Sequence, residues 1–137
     1  MNANLFSGRL VRLAAVDVDA DPAWFARWDR DTEYGRLLDA DPRRLLTARQ
    51  IKTAIEKEEA EGQEMAFAIR TLAEDQLIGF VDLDGPNWTH GDSFVGIGIG
   101  DRAYWGRGYG TDALRVLLRY AFTELNLYRL SLNVFSY

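Results

Sequence analysis

Residues 94–134, FVGIGIGDRAYWGRGYGTDALRVLLRYAFTELNLYRLSLNV, constrain this chain more than any other stretch. A β-branched run, a glycine-dense turn, a periodic helical segment and a second β-rich run follow one another. That is the order of a βαβ unit, which needs ~30 residues or more. Leu114, Leu117, Leu118, Ala121, Phe122 and Leu125 recur at helical spacing, with Arg115, Arg119 and Glu124 between them. One face of this helix is therefore expected in the core and the other in water.

The helix begins through Gly106-Arg107-Gly108-Tyr109-Gly110-Thr111. Its first N–H groups have no intrahelical partner and carry the positive end of the helix dipole, which suits an anion and phosphate above all. Glycine lets the backbone approach a ligand and adopt positive φ, so that successive N–H groups converge. Arg107 adds charge. The same turn also reads as a plain strand-to-helix connection, and the residues alone leave both readings open. A Walker loop is excluded because no Gly-Lys-Ser/Thr triplet occurs. The dinucleotide fingerprint fails too: Thr111 stands where its third glycine belongs, and residues 129–134 carry no carboxylate.

Before that turn, Gly96, Gly98 and Gly100 alternate with Val95, Ile97 and Ile99. A strand of this kind has one methyl-rich face and one bare face. Glycine inside a strand marks a close approach, either of a ligand or of packed backbone and helices, and both remain open.

Earlier segments supply the rest of a domain. Residues 10–13 read as a first strand. Asp21-Pro22 reads as an N-cap with proline at the first helical position, opening a helix whose Trp24, Phe25 and Trp28 form an aromatic face, read as core packing ahead of a ligand wall. Residues 30–46 read as loop or short helix. Thr47 and Gln50 form a capping-box pattern ahead of Ile51, Ala54 and Ile55, and Gly62 can end that helix. Residues 65–70 and 77–83 read as an antiparallel hairpin, and Asp84-Gly85-Pro86-Asn87 with the following Trp88 to Gly91 read as a second turn before Phe94. The order is β-α-α-β-β-β-α-β, a single α/β domain with a mixed sheet and a parallel crossover at the central helix.

Composition narrows the function classes. A net charge of −5 over 137 residues argues against a nucleic-acid footprint. The chain has no cysteine and a single histidine, so disulfide, thiol-nucleophile and Cys/His metal chemistry are absent from it. No charged-then-apolar leader opens it and no run approaches ~18 apolar residues, so a cytoplasmic protein is expected.

Taken together, loop, helix and flanking strands resemble the GNAT superfamily of acyl-CoA N-acyltransferases. The pyrophosphate loop of that family, Gln/Arg-x-x-Gly-x-Gly/Ala, opens its central helix. Trp105-Gly106-Arg107-Gly108-Tyr109-Gly110 matches at Gly108 and Gly110, with Trp105 in place of the usual Gln or Arg. The run YWGRGYGTDAL is similar to the branch containing ribosomal-protein N-terminal acetyltransferases. The resemblance implies acetyl-CoA as cosubstrate and no metal. It implies a CoA site made of Ile97, Gly98, Ile99, Trp105, Gly106, Arg107, Gly108, Tyr109, Gly110 and Thr111. The pantetheine arm would lie where strand 94–100 splays from the next strand.

Acetyl transfer to a primary amine, on a protein N-terminus or a small molecule, is the activity so implied. It needs a base for the ammonium, an oxyanion site, for which N–H groups near Ile97 to Ile99 are candidates, and a proton for the thiolate. The family often places a glutamate on the glycine-rich strand, whereas Phe94 to Gly100 are uncharged here. Asp82, Asp84, His90 and Asp92 are the replacements. Asp82 leads because apolar neighbours would raise its pKa if it is buried; a solvent-facing Asp82 or a water chain is the other reading. The segment 30–46 borders the acceptor site in the family, which makes Tyr34, Arg36, Asp39 and Arg43 specificity candidates.

Family domains continue past the fifth strand into a helix whose Tyr is often the acid, and Tyr137 does not match that residue. The chain is thus expected to lack the last part of the domain and to leave residues 130–134 as a strand edge that recruits a second copy into a homodimer. A non-catalytic acyl-CoA-binding or interaction module is the alternative to an enzyme.

Overall fold

The computed structural model describes residues 4–38, 45–62 and 64–132. Its elements are β1 (Val11–Ala15), α1 (Asp21–Asp29), α2 (Thr32–Leu38), α3 (Ala48–Glu61), β2 (Glu64–Thr71), β3 (Leu77–Asn87), β4 (Asp92–Ile99), a 3₁₀ turn (Arg102–Tyr104), α4 (Tyr109–Thr123) and β5 (Arg129–Leu132). The expected order holds with one helix added, since segment 30–46 contains α2. Strands β1 to β4 pair antiparallel in sequence order, and β5 joins β4 in parallel after the α4 crossover.

The sheet buries both faces. On one, Val11, Leu13, Ile69, Ile78, Val81, Leu83 and Val95 meet Ala113, Val116, Leu117 and Ala121 of α4. The buried stripe of α4 is therefore rotated from the expected one: Leu118 and Phe122 are 37% and 42% exposed on its flank, and Ala113 and Val116 take the core. On the other face, Trp28 and Tyr34 pack with Ala68 and Leu77, and Phe25 meets Phe80 edge-on.

Local chemistry explains the helix ends. At α3 the Thr47 side chain accepts the Gln50 N–H and the Gln50 side chain accepts the Thr47 N–H, while Gly62 closes the helix at φ +68. Asp21 departs from its expected role. Ala20 is the cap of α1, and Asp21 lies buried in the first turn, where it accepts the Asp17 N–H and pairs with Arg70 at 3.2 Å. The Asp17 side chain instead closes the turn ahead of the helix by accepting the N–H groups of Asp19 and Ala20, and no side chain caps α1 itself. Asp21 thereby links α1 to β2.

Asp84 to Asn87 also differ from expectation. They extend β3 across a register shift, and only the later part of the expected turn, residues 88–91, turns the chain, where the Asn87 side chain accepts the N–H groups of Thr89 and His90. Residues 133–137, and with them Val134 and Tyr137, lie outside the described part, as does any widening of the β4–β5 gap beyond the Val95 and Leu132 pair.

Candidate active site

The glycine-rich loop forms one wall of a cleft of about 350 Å³. Gly106 and Gly108 both have positive φ, +69 and +88. Gly108 caps α4, and no side chain caps that helix end, in contrast to α3. The leading N–H groups of α4, at Tyr109, Gly110 and Thr111, thus point out of the helix end where the cleft lies.

Ile97, Gly98, Ile99, Trp105, Gly106, Gly108, Tyr109, Gly110 and Thr111 all line this cleft, so the structure brings together nearly every residue expected at a CoA site. Arg107 stands apart. Its guanidinium donates to the Ala103 carbonyl at 3.0 Å and lies over the rings of Tyr104 and Tyr109. The helix end supplies positive potential at the cleft, while Arg107 does not line it. Trp105, standing where Gln or Arg is usual in the resembled family, donates its indole N–H to the Ile99 carbonyl at 2.6 Å.

The register of β4 explains which backbone groups are available. Gly100 N–H donates to Ile78 O, and Gly98 and Gly96 share its orientation toward β3. By antiparallel alternation, the N–H groups of Ile97 and Ile99 turn away from β3. The bare face of β4 divides between the two readings left open. A Cβ at Gly100 would stand 1.9 Å from the Trp28 ring, so packing demands glycine there, whereas one at Gly96 would stand 2.6 Å from the Asp82 carboxylate and displace it. Gly98 lines the cleft.

Asp82 sits opposite Gly96 and accepts its N–H at 3.0 Å. It is half-buried and faces a second cleft of about 590 Å³ between α1, α3 and the sheet. Asp84, His90 and Asp92 line neither cleft, and Asp92 pairs with Arg129. Among the described residues, Tyr34 alone lines both clefts. Of the other specificity candidates, Asp39, Arg43 and the side chain of Arg36 lie outside the described part. Among the described residues no group of His, Asp and Glu is arranged to hold a metal.

Two carboxylates that hold the site together were not legible as such. Asp31 accepts the N–H groups of Glu33 and Tyr34 at the start of α2 and grips the Arg102 guanidinium through both oxygens. Tyr34 is thereby fixed to the loop that carries the cleft. Chiefly because of the Arg102 hydrogen bonds, the Asp31 carboxyl is lowered to a pKa of about 2.

Asp112, buried in the first turn of α4, accepts the N–H groups of Arg9, Leu10 and Val11 at 3.1, 2.8 and 3.0 Å. Gly8 is required beside it, since a Cβ there would stand 2.4 Å from its oxygen. One signal did exist. A carboxylate in the first turn of a helix expected to hold an anion is out of place unless its charge is satisfied elsewhere. Arg119 completes the attachment by donating to the carbonyls of Leu5 and Ser7.

The family profile of the acetyltransferase (GNAT) domain matches residues 10–136. Over 74 residues the chain is 34% identical to the uncharacterized N-acetyltransferase p20 of Bacillus licheniformis, a match covering 54% of this chain and 41% of that protein. The chain thus spans about two-fifths of the length of the curated relatives it matches. Among solved structures it superimposes on spermidine N-acetyltransferase from Vibrio cholerae in complex with CoA and spermine. That match has a TM-score of 0.78 at 22% identity and covers 90% of this chain and 70% of the other. A candidate ribosomal-protein-serine acetyltransferase from Vibrio cholerae gives 0.73 at 23% identity, covering 93% and 71%. At these identities the structural likeness is one of fold.

Proposed function

As this chain belongs to the acetyltransferase (GNAT) domain family, we propose that it transfers an acetyl group from acetyl-CoA to a primary amine. The observation that carries this reading is the N-terminus of α4, which has Gly108 as its cap and no side-chain cap and opens into a cleft that shares Tyr34 with a second cleft. In this reading the N–H groups of Tyr109 to Thr111 hold the pyrophosphate, and the outward-turned backbone of Ile97 and Ile99 holds the pantetheine and acyl oxygen. The acceptor approaches from the second cleft.

The amine nitrogen attacks the thioester carbonyl, the C–S bond breaks, and the thiolate leaves with a proton. Asp82, in the wall of the second cleft, takes the proton that the ammonium must lose before it attacks. Titration with acetyl-CoA and CoA, together with free-thiol release over a panel of amines and peptides, tests the whole reading. Asp82→Asn is expected to lower kcat about 10²-fold with CoA affinity unchanged; unchanged turnover would move proton removal to water. CoA binding by a folded chain with no thiol release for any amine would favour a non-catalytic acyl-CoA-binding module, the reading that the uncharged strand Phe94 to Gly100 supports.

A homodimer through β5 belongs to the same proposal. Among the described residues β5 has a strand neighbour on one side only, and Tyr128 and Leu132 are exposed nearby. Sedimentation equilibrium should return twice the chain mass, and a monomer at high concentration would refute it.

A further inference from the structure

We propose that Asp31 and Arg102 are positioning residues for acetyl transfer, whose ion pair sets Tyr34, a wall of both clefts, against the Ile99 end of β4. The inference rests on the acyltransferase reading and adds to it two residues, neither of which lines a cleft. Its basis is an unbroken run of contacts across the site. Trp105 donates its indole N–H to the Ile99 carbonyl at 2.6 Å, and the Arg102 guanidinium lies over the Trp105 ring, 5.1 Å from its centroid. The same guanidinium donates from Nε and Nη2 to the two oxygens of Asp31. One of those oxygens also accepts the N–H of Tyr34 at 3.2 Å.

The ring and the backbone of Tyr34 are held by different partners. Its side chain is buried and packs edge-on against Trp28 at 6.4 Å. Its backbone is aimed by Asp31, which sits between α1 and α2 with its own N–H on the Trp28 carbonyl and its carbonyl accepting the Gly35 N–H. A two-pronged pair fixes direction as well as distance, so it sets where α2 begins relative to the 3₁₀ turn that leads into the glycine loop. Stability alone is a poor account of it. The Arg102 side chain is 57% exposed, and ion pairs that open contribute little to folding. Placement carries more weight: a shift of about 1 Å at a reacting centre lowers turnover about 10²-fold.

The test is free-thiol release from acetyl-CoA by the full chain, with spermidine, hexylamine and a short peptide with a free N-terminus as acceptors, beside calorimetry with CoA and amide hydrogen exchange. Asp31→Asn keeps an oxygen for the Tyr34 N–H, since Asn caps helices as well as Asp does, and removes the charge that grips Arg102. Arg102→Ala breaks the pair from the other side and leaves the cap. Each variant is expected to lose about 10–10²-fold in kcat/KM for the amine, with CoA affinity within about 3-fold of the parent chain. The double variant should lose no more than either single one, because both remove the same contact. Amides of α2 should exchange about 10-fold faster, with those of α3 and α4 unchanged. In a Tyr34→Leu background, which keeps bulk in the buried place, Arg102→Ala should lower turnover by no more than ~2-fold.

Parent-like turnover in both single variants overturns the proposal, as do losses that multiply in the double variant or that are as large in the Tyr34→Leu background. A CoA affinity that falls as far as turnover overturns it too, since Arg102 would then hold a CoA phosphate. Faster exchange spread over α3 and α4 would reduce the pair to a stability feature and overturn it likewise. The underlying reading fails separately. A parent chain that binds no CoA, or binds it and releases thiol with none of the amines, refutes the acyltransferase, whereas an active parent with undiminished variants refutes the positioning pair alone.

Discussion

A Gly108→Glu chain is expected to lose CoA affinity by ~10³-fold or more while remaining folded, because a carboxylate then occupies the helix end that the pyrophosphate needs. Gly108 is the cap of α4 at φ +88, and apart from Leu10 at 3.8 Å nothing surrounds its missing Cβ. A side chain there meets open space, so bulk within the protein is no obstacle. Two costs remain. Left-handed backbone costs a residue with a Cβ roughly 1–2 kcal/mol, and the new negative charge repels the anion. Gly108→Ala carries the first cost without the second, so it is expected to bind CoA within about 10-fold of the parent chain. Calorimetry on both variants, with circular dichroism to verify folding, separates the two. Equal affinities for the Ala and Glu variants would mean that no anion is held at this helix end.

Asp112→Ala should cost about 4 kcal/mol of folding stability, read by denaturant unfolding. Three backbone N–H groups lose a charged acceptor at once, and such bonds contribute about 1.5–3 kcal/mol each. The loss is partly offset where water can reach the exposed side of Arg9 and Leu10. Asp112→Asn keeps an acceptor oxygen and should lose roughly half as much.

The pH dependence follows from the same geometry. Burial pushes the Asp112 carboxyl up, but the N–H donors of Leu10, Arg9 and Val11 together outweigh it and hold the group below its ordinary value of 3.8. A carboxyl whose folded value is depressed binds fewer protons folded than unfolded. Its contribution is therefore complete above the unfolded value and fades as pH falls through the folded one. The parent chain should lose stability steeply below about pH 4, and the Asp112→Ala chain should show a shallower acid limb. Asp31, held at a pKa of about 2 by Arg102, adds a loss of the same sign in both chains. Parallel acid limbs would show that Asp112 does not carry the linkage.

These two positions also mark how far the residues could be read before the fold was in view. Gly108 was legible because its effect is local: positive φ at a helix start needs no partner from elsewhere in the chain. The capping box of α3, the hairpin of β2 and β3 and the crossover through α4 were legible for the same reason, since periodicity and caps act within a few residues. Asp112 was not. Its partners Arg9, Leu10 and Val11 lie about a hundred residues away, and nothing in the residues around Asp112 names them.

The same distance rule decided the rest. Whether the bare face of β4 meets a ligand or a helix was undecidable from alternation alone, and contact with Trp28 of α1 settled it at Gly100, whereas Gly98 lines the cleft. The expected stripe of α4 erred at Leu118 and Phe122 because helical spacing defines an apolar arc wider than the strip a sheet can cover, and only docking selects which part is buried. Asp82 was identified by its apolar neighbours in the chain, yet its place in the second cleft came from α1 and α3 folding over it. The sequence by itself determined the elements, their order and the glycine-rich loop with its positive φ at the start of α4, because those depend on backbone conformation over a few successive residues. Only the tertiary structure decided that Tyr34 lines both clefts and that Asp31 and Asp112 hold the surrounding segments in place, because those contacts join segments whose separation along the chain carries no local signal.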